Sequence, residues 1–214
     1  SVTHQPTVRP GRTVDIVFSQ SQADFRTVHD GLDVRTTVCV SPEDDVEVRR
    51  ITLTNTSATV RVVELTTYAE VVLAPQAADQ AHPAFGNLFV QTEFLPGASA
   101  LLCTRRSGSA EEQAPWLFHA LLAPGAIGPA TCETDRRQYL GRGGSPRAPA
   151  AQRGPPALSN TVGSVLDPIV SLRQTVRLPP HASVTVDLVL GMCESREAAV
   201  ALVANSLPPA PQAE

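Results

Sequence analysis

The chain has 214 residues, of which 42% are hydrophobic and 18% charged, with a formal net charge of −4. That length suits one domain with its own core, and the acidic balance leaves no basic footprint for nucleic acid. No apolar run approaches the ~20 residues of a membrane-spanning helix, so direct membrane insertion is not expected. Four cysteines, Cys39, Cys103, Cys132 and Cys193, are widely spaced without a C-x-x-C pair, which signals neither a zinc knuckle nor a redox couple. Reduced thiols in a cytoplasmic setting are expected, with Cys39 a small buried thiol inside an apolar strand.

Alternation dominates from the start. Val14, Ile16 and Phe18 share one strand face, and Val34, Thr36, Val38 and Val40 share another. Ser41-Pro42-Glu43-Asp44-Asp45 then supplies turn chemistry, and Val46 and Val48 open the second arm of a hairpin. The inward residues switch parity at Ile51 and Leu53, which predicts a β-bulge near Arg49-Arg50. After the turn at Asn55-Thr56-Ser57, one long strand carries Val63, Leu65, Thr67, Ala69, Val71 and Leu73 on one face. Its other face carries Glu64, Thr66, Tyr68 and Glu70. An irregular Ala/Pro segment leads to His82-Pro83-Ala84-Phe85. Shorter strands are predicted at 88–94, 100–105 and 116–122, and two late ones at 170–178 and 183–190. Residues 123–168 are rich in Gly and Pro, and so long a loop in a compact domain is functional or disordered. Glu194-Ser195-Arg196-Glu197 opens a short helix with an acidic first turn. The expected organisation is a sandwich over 1–193, a helix over 194–206 and a flexible Pro-rich tail over 207–214.

Eight blocks in order carry a family resemblance: SPEDDVEVRRITLTN, ELTTYAEVVLAP, AHPAFGNLFVQTEF, ALLCTRRS, PWLFH, ETDRRQYLGRG, TVGSVLDPIVSLR and ESREAAVAL. Together they resemble the β-sandwich domain of cyclic β-1,2-glucan synthases and the cellobiose-phosphorylase-like enzymes of glycoside hydrolase family 94, formerly glycosyltransferase family 36. The resemblance implies an all-β, antiparallel β-supersandwich, galactose-mutarotase-like, with a short C-terminal helix and long irregular loops. In that family the sandwich precedes an (α/α)6 barrel that holds the general-acid carboxylate. No such helical repeat is present here. The implied role is therefore non-catalytic and without cofactor: packing on the barrel of the same polypeptide and shaping one wall of a β-glucan site. The parent would build or phosphorolyse β-1,2-linked glucans from the bacterial inner membrane. Relatives begin earlier, so first strands are expected to be missing before Ser1, leaving an unpaired edge. Gly144 departs from the pattern, since relatives often carry a basic residue after Gly-Arg-Gly.

The constellations of chemistry-bearing residues favour binding over catalysis. Glu43-Asp44-Asp45 reads as a solvated turn, because a calcium site needs about six or more oxygen ligands from a shaped loop. No G-x-S-x-G elbow is present. Glu64, Glu70, Asp135 and Asp167 are weighed as paired carboxylates and read as strand-face and loop anchors. Pro83 restricts His82 to extended backbone, and Phe85 offers a face for stacking on a sugar. Arg136 and Arg142 carry guanidinium forks suited to sugar hydroxyls or phosphate. The carbohydrate-facing set is Tyr68, Glu70, His82, Phe85, Arg136 and Arg142, with no catalytic residue and no metal. The loops after Leu73 and after Ala123 are then expected to lie together. An autonomous carbohydrate-binding module for β-glucan is the alternative, disfavoured by an aromatic content of only 4%. A catalytic glycosidase or phosphorylase fragment is a third.

Overall fold

The computed structural model describes residues 1–3, 7, 14–107 and 113–206; the tail over 207–214 lies outside them. The chain opens with an antiparallel meander of β1 (Asp15–Phe18), β2 (Gln22–His29), β3 (Leu32–Val40) and β4 (Val46–Asn55). The β2–β3 turn is Asp30-Gly31, both residues left-handed (φ 49° and 72°), as a two-residue hairpin that matches strand twist requires. Then come β5 (Arg61–Thr66), β6 (Ala69–Glu70), the short helices α1 (Gln76–Ala81) and α2 (Pro83–Asn87), β7 (Val90–Leu95), β8 (Ala100–Arg105) and β9 (Trp116–Leu122). The rest is β10 (Ala126–Asp135), α3 (Arg136–Leu140), β11 (Gly163–Ser164), β12 (Pro168–Leu178), β13 (Ser183–Cys193) and α4 (Arg196–Ser206).

Two sheets result. The large one has nine strands in the order β1-β2-β3-β4-β13-β9-β8-β7-β11, and the small one runs β10-β12-β5, with β6 also paired to β12. All these pairings are antiparallel. The main core lies between the sheets, where Leu53, Leu101, Leu121 and Val186 meet Val170, Leu172, Val176 and Leu178. Each such side chain contributes roughly 1.5–3 kcal/mol on burial. A second cluster lies on the opposite face of the large sheet, where Ala100, Leu102, Phe118, Ala120 and Val189 pack under Ala199 and Val203 of α4.

That second cluster overturns the predicted bulge. β4 pairs without a break on both sides, from Val46 to Thr54 against β13 and from Glu47 to Asn55 against β3. The parity switch has another cause. Ile51 and Leu53 face the small sheet, while Val46 and Val48 face the α4 cluster. A strand covered on both sides buries one parity at one end and the other parity at the other.

Other expectations are also corrected. The long strand through Leu73 divides into β5 and β6 at Thr67-Tyr68, although Leu65, Thr67, Val71 and Leu73 are buried as the alternation requires. The 123–168 region contains β10 and α3. β10 escapes the alternation because its register against β12 shifts between Ile127 and Thr131, at Gly128-Pro129, and again between Glu133 and Asp135. β2 escapes because it buries only Thr27. Residues 76–87 hold two helical turns rather than irregular chain. Cys39 is only half-buried, and all four cysteines are free.

Candidate functional site

The break between β5 and β6 is built by Thr67. Its Oγ1 accepts the Leu172 amide at 2.8 Å, and its carbonyl accepts Ser171 Oγ at 2.7 Å. β12 thus holds the chain through the turn, and pairing resumes at Ala69 and Glu70 opposite Val170 and Ile169. Tyr68 projects from this turn. Opposite it, β10 runs into α3, whose N-terminus is capped by Asp135 accepting the Arg137 amide at 2.8 Å. Such a cap stabilises by about 0.5–2 kcal/mol. The Arg136 amide donates to the Asp167 carbonyl at 3.0 Å, which fixes α3 against the start of β12.

These anchors bring five side chains together. Arg136 Nε donates to Tyr68 Oη at 3.2 Å and to Glu70 Oε1 at 3.1 Å, while Tyr68 Oη donates to Glu70 at 2.9 Å. Arg136 Nη1 donates to Asp167 Oδ2 at 3.3 Å, and Asn87 Nδ2 reaches Asp167 Oδ1 at 3.5 Å. The Tyr68 ring packs on buried Tyr139 with centroids 5.0 Å apart. Burial pushes the Tyr68 phenol up to about 12; the hydrogen bond from Arg136 works against that and the Glu70 carboxylate adds to it. The phenol is therefore a neutral donor and acceptor at physiological pH. Tyr68 is half-buried, and Glu70 is exposed.

Asn87 joins this cluster to α2, so the loops after Leu73 and after Ala123 do meet. The β11–β7 pairing ties them again. On α2, Phe85 is 62% exposed and stacks edge-on against Phe89 at 5.1 Å. Arg105 and Arg106 each lie 5.7 Å from the Phe89 ring centre. His82, between α1 and α2, is exposed. Arg142 is exposed just past α3, outside the Arg136 cluster. At Gly144 a side chain would collide with the Leu140 carbonyl, so the basic residue that the resemblance leads one to expect there does not fit this loop path.

Sequence reasoning missed the supports behind the site. Glu133 is 2% exposed; it accepts the Thr134 and Asp135 amides and the Ser159 hydroxyl. Arg173 is 5% exposed. It donates to Thr66 Oγ1 at 2.8 Å and to the carbonyls of Ala151 at 2.6 Å, Pro155 at 3.1 Å and Pro156 at 3.4 Å. Only a charged residue inside an otherwise apolar strand run hinted at it. Among the described residues no group of three or more His, Cys, Asp or Glu side chains is placed to hold a metal ion. Glu43-Asp44-Asp45 is an exposed turn closed by Ser41 Oγ, which accepts two amides.

An antiparallel sandwich of unequal sheets, with its long loops gathered around an arginine-centred polar cluster, defines a supersandwich. The family described as "Glycosyl hydrolase 94, supersandwich domain" matches residues 1–207, and the chain belongs to it. It is 37% identical over 188 residues to the cyclic beta-(1,2)-glucan synthase NdvB of Rhizobium meliloti (strain 1021), covering 87% of this chain and 7% of that protein. It is 27% identical over 173 residues to the solabiose phosphorylase of Paenibacillus borealis, covering 80% of this chain and 21% of that one. The chain thus spans a small part of both relatives. Among solved structures, the heparan sulfate lyase HepC from Pedobacter heparinus aligns over 92% of this chain and 24% of its own, with a TM-score of 0.47 and 7% identity.

Proposed function

We propose that this chain is a non-catalytic domain of a large bacterial glucan-processing enzyme, similar to a cyclic β-1,2-glucan synthase. In this role it packs on an (α/α)6 catalytic barrel of the same polypeptide and forms one wall of its β-glucan site. The Arg136 cluster is the observation that carries the proposal. It is polar, partly exposed and held rigid from two directions, as a surface that orients sugar hydroxyls must be. Both of its carboxylates, Glu70 and Asp167, are ion-paired to Arg136. A glycosidase acid instead needs a carboxyl kept protonated. Exposed Phe85 supplies an apolar face beside the polar one, and His82 and Arg142 extend the wall. The first 193 residues form the sandwich in this scheme, and α4 leads toward the barrel. The domain is cytoplasmic, consistent with four free thiols, and other parts of the polypeptide tether the enzyme to the inner membrane. Among the described residues no helix is long and apolar enough to cross a membrane.

The test is Arg136→Ala in the complete polypeptide. It should lower glucan turnover or affinity about tenfold, the weight of one charged hydrogen bond, with the melting temperature nearly unchanged. His82→Ala and Arg142→Ala should act in the same direction. Full activity in all three, or activity lost only through unfolding, would refute the wall.

A further inference from the structure

The small sheet leaves part of the large one open. A cleft of about 440 Å³ runs from the space between the sheets, past the free edge of β5, to α3. We propose that this cleft binds a small neutral saccharide or polyol, at a site that adjoins the Arg136 cluster only through Tyr68. The proposal does not rest on the wall role above. The volume falls in the range of small-molecule pockets, about 300–1,000 Å³. Ile51, Leu121 and Leu188 give it an apolar floor, while the polar residues Thr36, Arg49, Glu64 and Gln152 line it from four different segments.

Thr36 is the telling residue. It lines the cleft, it is 1% exposed, and its Oγ1 has no hydrogen-bond partner among the described residues. A buried hydroxyl left unbonded is uncommon in a native protein and marks a place where something else supplies the partner. Thr67, also on the cleft wall, is fully engaged by the Leu172 amide and by His119 Nε2 at 2.7 Å, so it gives Thr36 no relief. Charge in the cleft is mixed: Arg173 and the Ser1 ammonium also line it, and both spend their N–H groups on neutral oxygens of the chain. Arg49 is paired to Glu47 at 2.6 Å, and Glu64 adds a negative group. An anion gains little there, whereas hydroxyls that both donate and accept match the mixture of Thr, Gln, Arg and Glu. Tyr68 and Tyr139, packed on each other with their rings tilted by 33°, line one end of the cleft.

The chain has two tyrosines, and both line the cleft. Selective isotope labelling of tyrosine therefore gives two ring signals that report on it. D-glucose, sophorose and myo-inositol are titrated to about 50 mM, the scale of weak binding. Saturable movement of the Tyr139 signal by at least one probe is expected, with a millimolar dissociation constant. Thr36→Val should weaken that binding about tenfold while the melting temperature stays level or rises, because valine keeps the shape and deletes an unbonded group. Gln152→Ala should weaken binding without touching the core. A purely structural Thr36 would move stability and leave affinity alone, which would overturn the proposal. So would a Tyr139 signal that no probe moves, the result of a cleft that holds only water. Full activity in Arg136→Ala, His82→Ala and Arg142→Ala would sink the wall and leave this titration untouched.

Discussion

Gly191→Ala is a test of how the large sheet is packed beneath α4. Gly191 sits directly opposite Phe118 in the β13–β9 ladder. A methyl group there would lie 2.5 Å from Phe118 Cζ, 2.6 Å from Cε1 and 3.0 Å from the Asp45 carbonyl oxygen. Carbon atoms in contact prefer about 3.5–4.0 Å, so the ring must retreat by about 1 Å. It has nowhere to go, being fully buried among Leu102, Val189, Ala199 and Val203. Overpacking of this kind costs about 1–3 kcal/mol. Removing a glycine from a strand returns roughly 0.5–1 kcal/mol, so destabilisation wins. For a domain of this size each 1 kcal/mol lowers the melting temperature by about 2–4 °C. The second half of the test is Gly191→Ala combined with Phe118→Leu. Leucine leaves space for the new methyl, so the pair should cost less than the sum of the singles by about 0.5–3 kcal/mol. Thermal and urea unfolding followed by circular dichroism measure all four proteins. A stabilised Gly191→Ala, or strict additivity, would show that the glycine does not make room for the ring.

Burial, aided by the Arg49 charge, depresses the His119 pKa from 6.5 to about 3. Between those values the unfolded chain takes up a proton that the folded one refuses, so stability falls as pH drops through that window. The slope is at most about 1.4 kcal/mol per pH unit. His119→Gln should flatten it; Asp24, Asp33 and Glu93, which also lose stability on acidification, are common to both proteins and cancel in the difference. Arg173→Leu should free the segment over 141–157, so that trypsin cuts after Arg142, Arg147 or Arg153 while leaving the parent intact on the same timescale. Cys103 is fully buried, and burial holds its thiol up at about 12; at pH 8 it should resist iodoacetamide until the protein unfolds. The isolated chain should bind linear or cyclic β-1,2-glucans no more tightly than about 1 mM by calorimetry, and submillimolar binding would favour an autonomous binding module.

The strands with one dry face were legible because alternation reports burial directly. The inward set Leu65, Thr67, Val71 and Leu73 survives although the strand itself breaks. Where both faces are covered, parity stops being diagnostic, and β4 was misread for that reason. β10 was hidden by Gly128-Pro129, which interrupts its pairing, although Asp30-Gly31 did carry a hairpin signal that would have located β2. For the site, Tyr68 and Glu70 were legible as polar residues on a strand that otherwise faces the core, and Arg136 as a guanidinium fork in the long loop region. Their meeting with Asp167 and Asn87 was not. Residues so far apart in sequence are joined by the sheet register, and no local pattern encodes that.

Arg173 has a consequence for how this surface can vary. It holds the segment over 151–156 by carbonyl oxygens alone, and every amino acid offers the same carbonyl. The grip is blind to side chains. Residues along that stretch can be exchanged while the path of the chain is kept, provided the preceding turn keeps its glycines at 141 and 144, where no side chain fits. One buried guanidinium thus separates the shape of the loop from its chemical lettering.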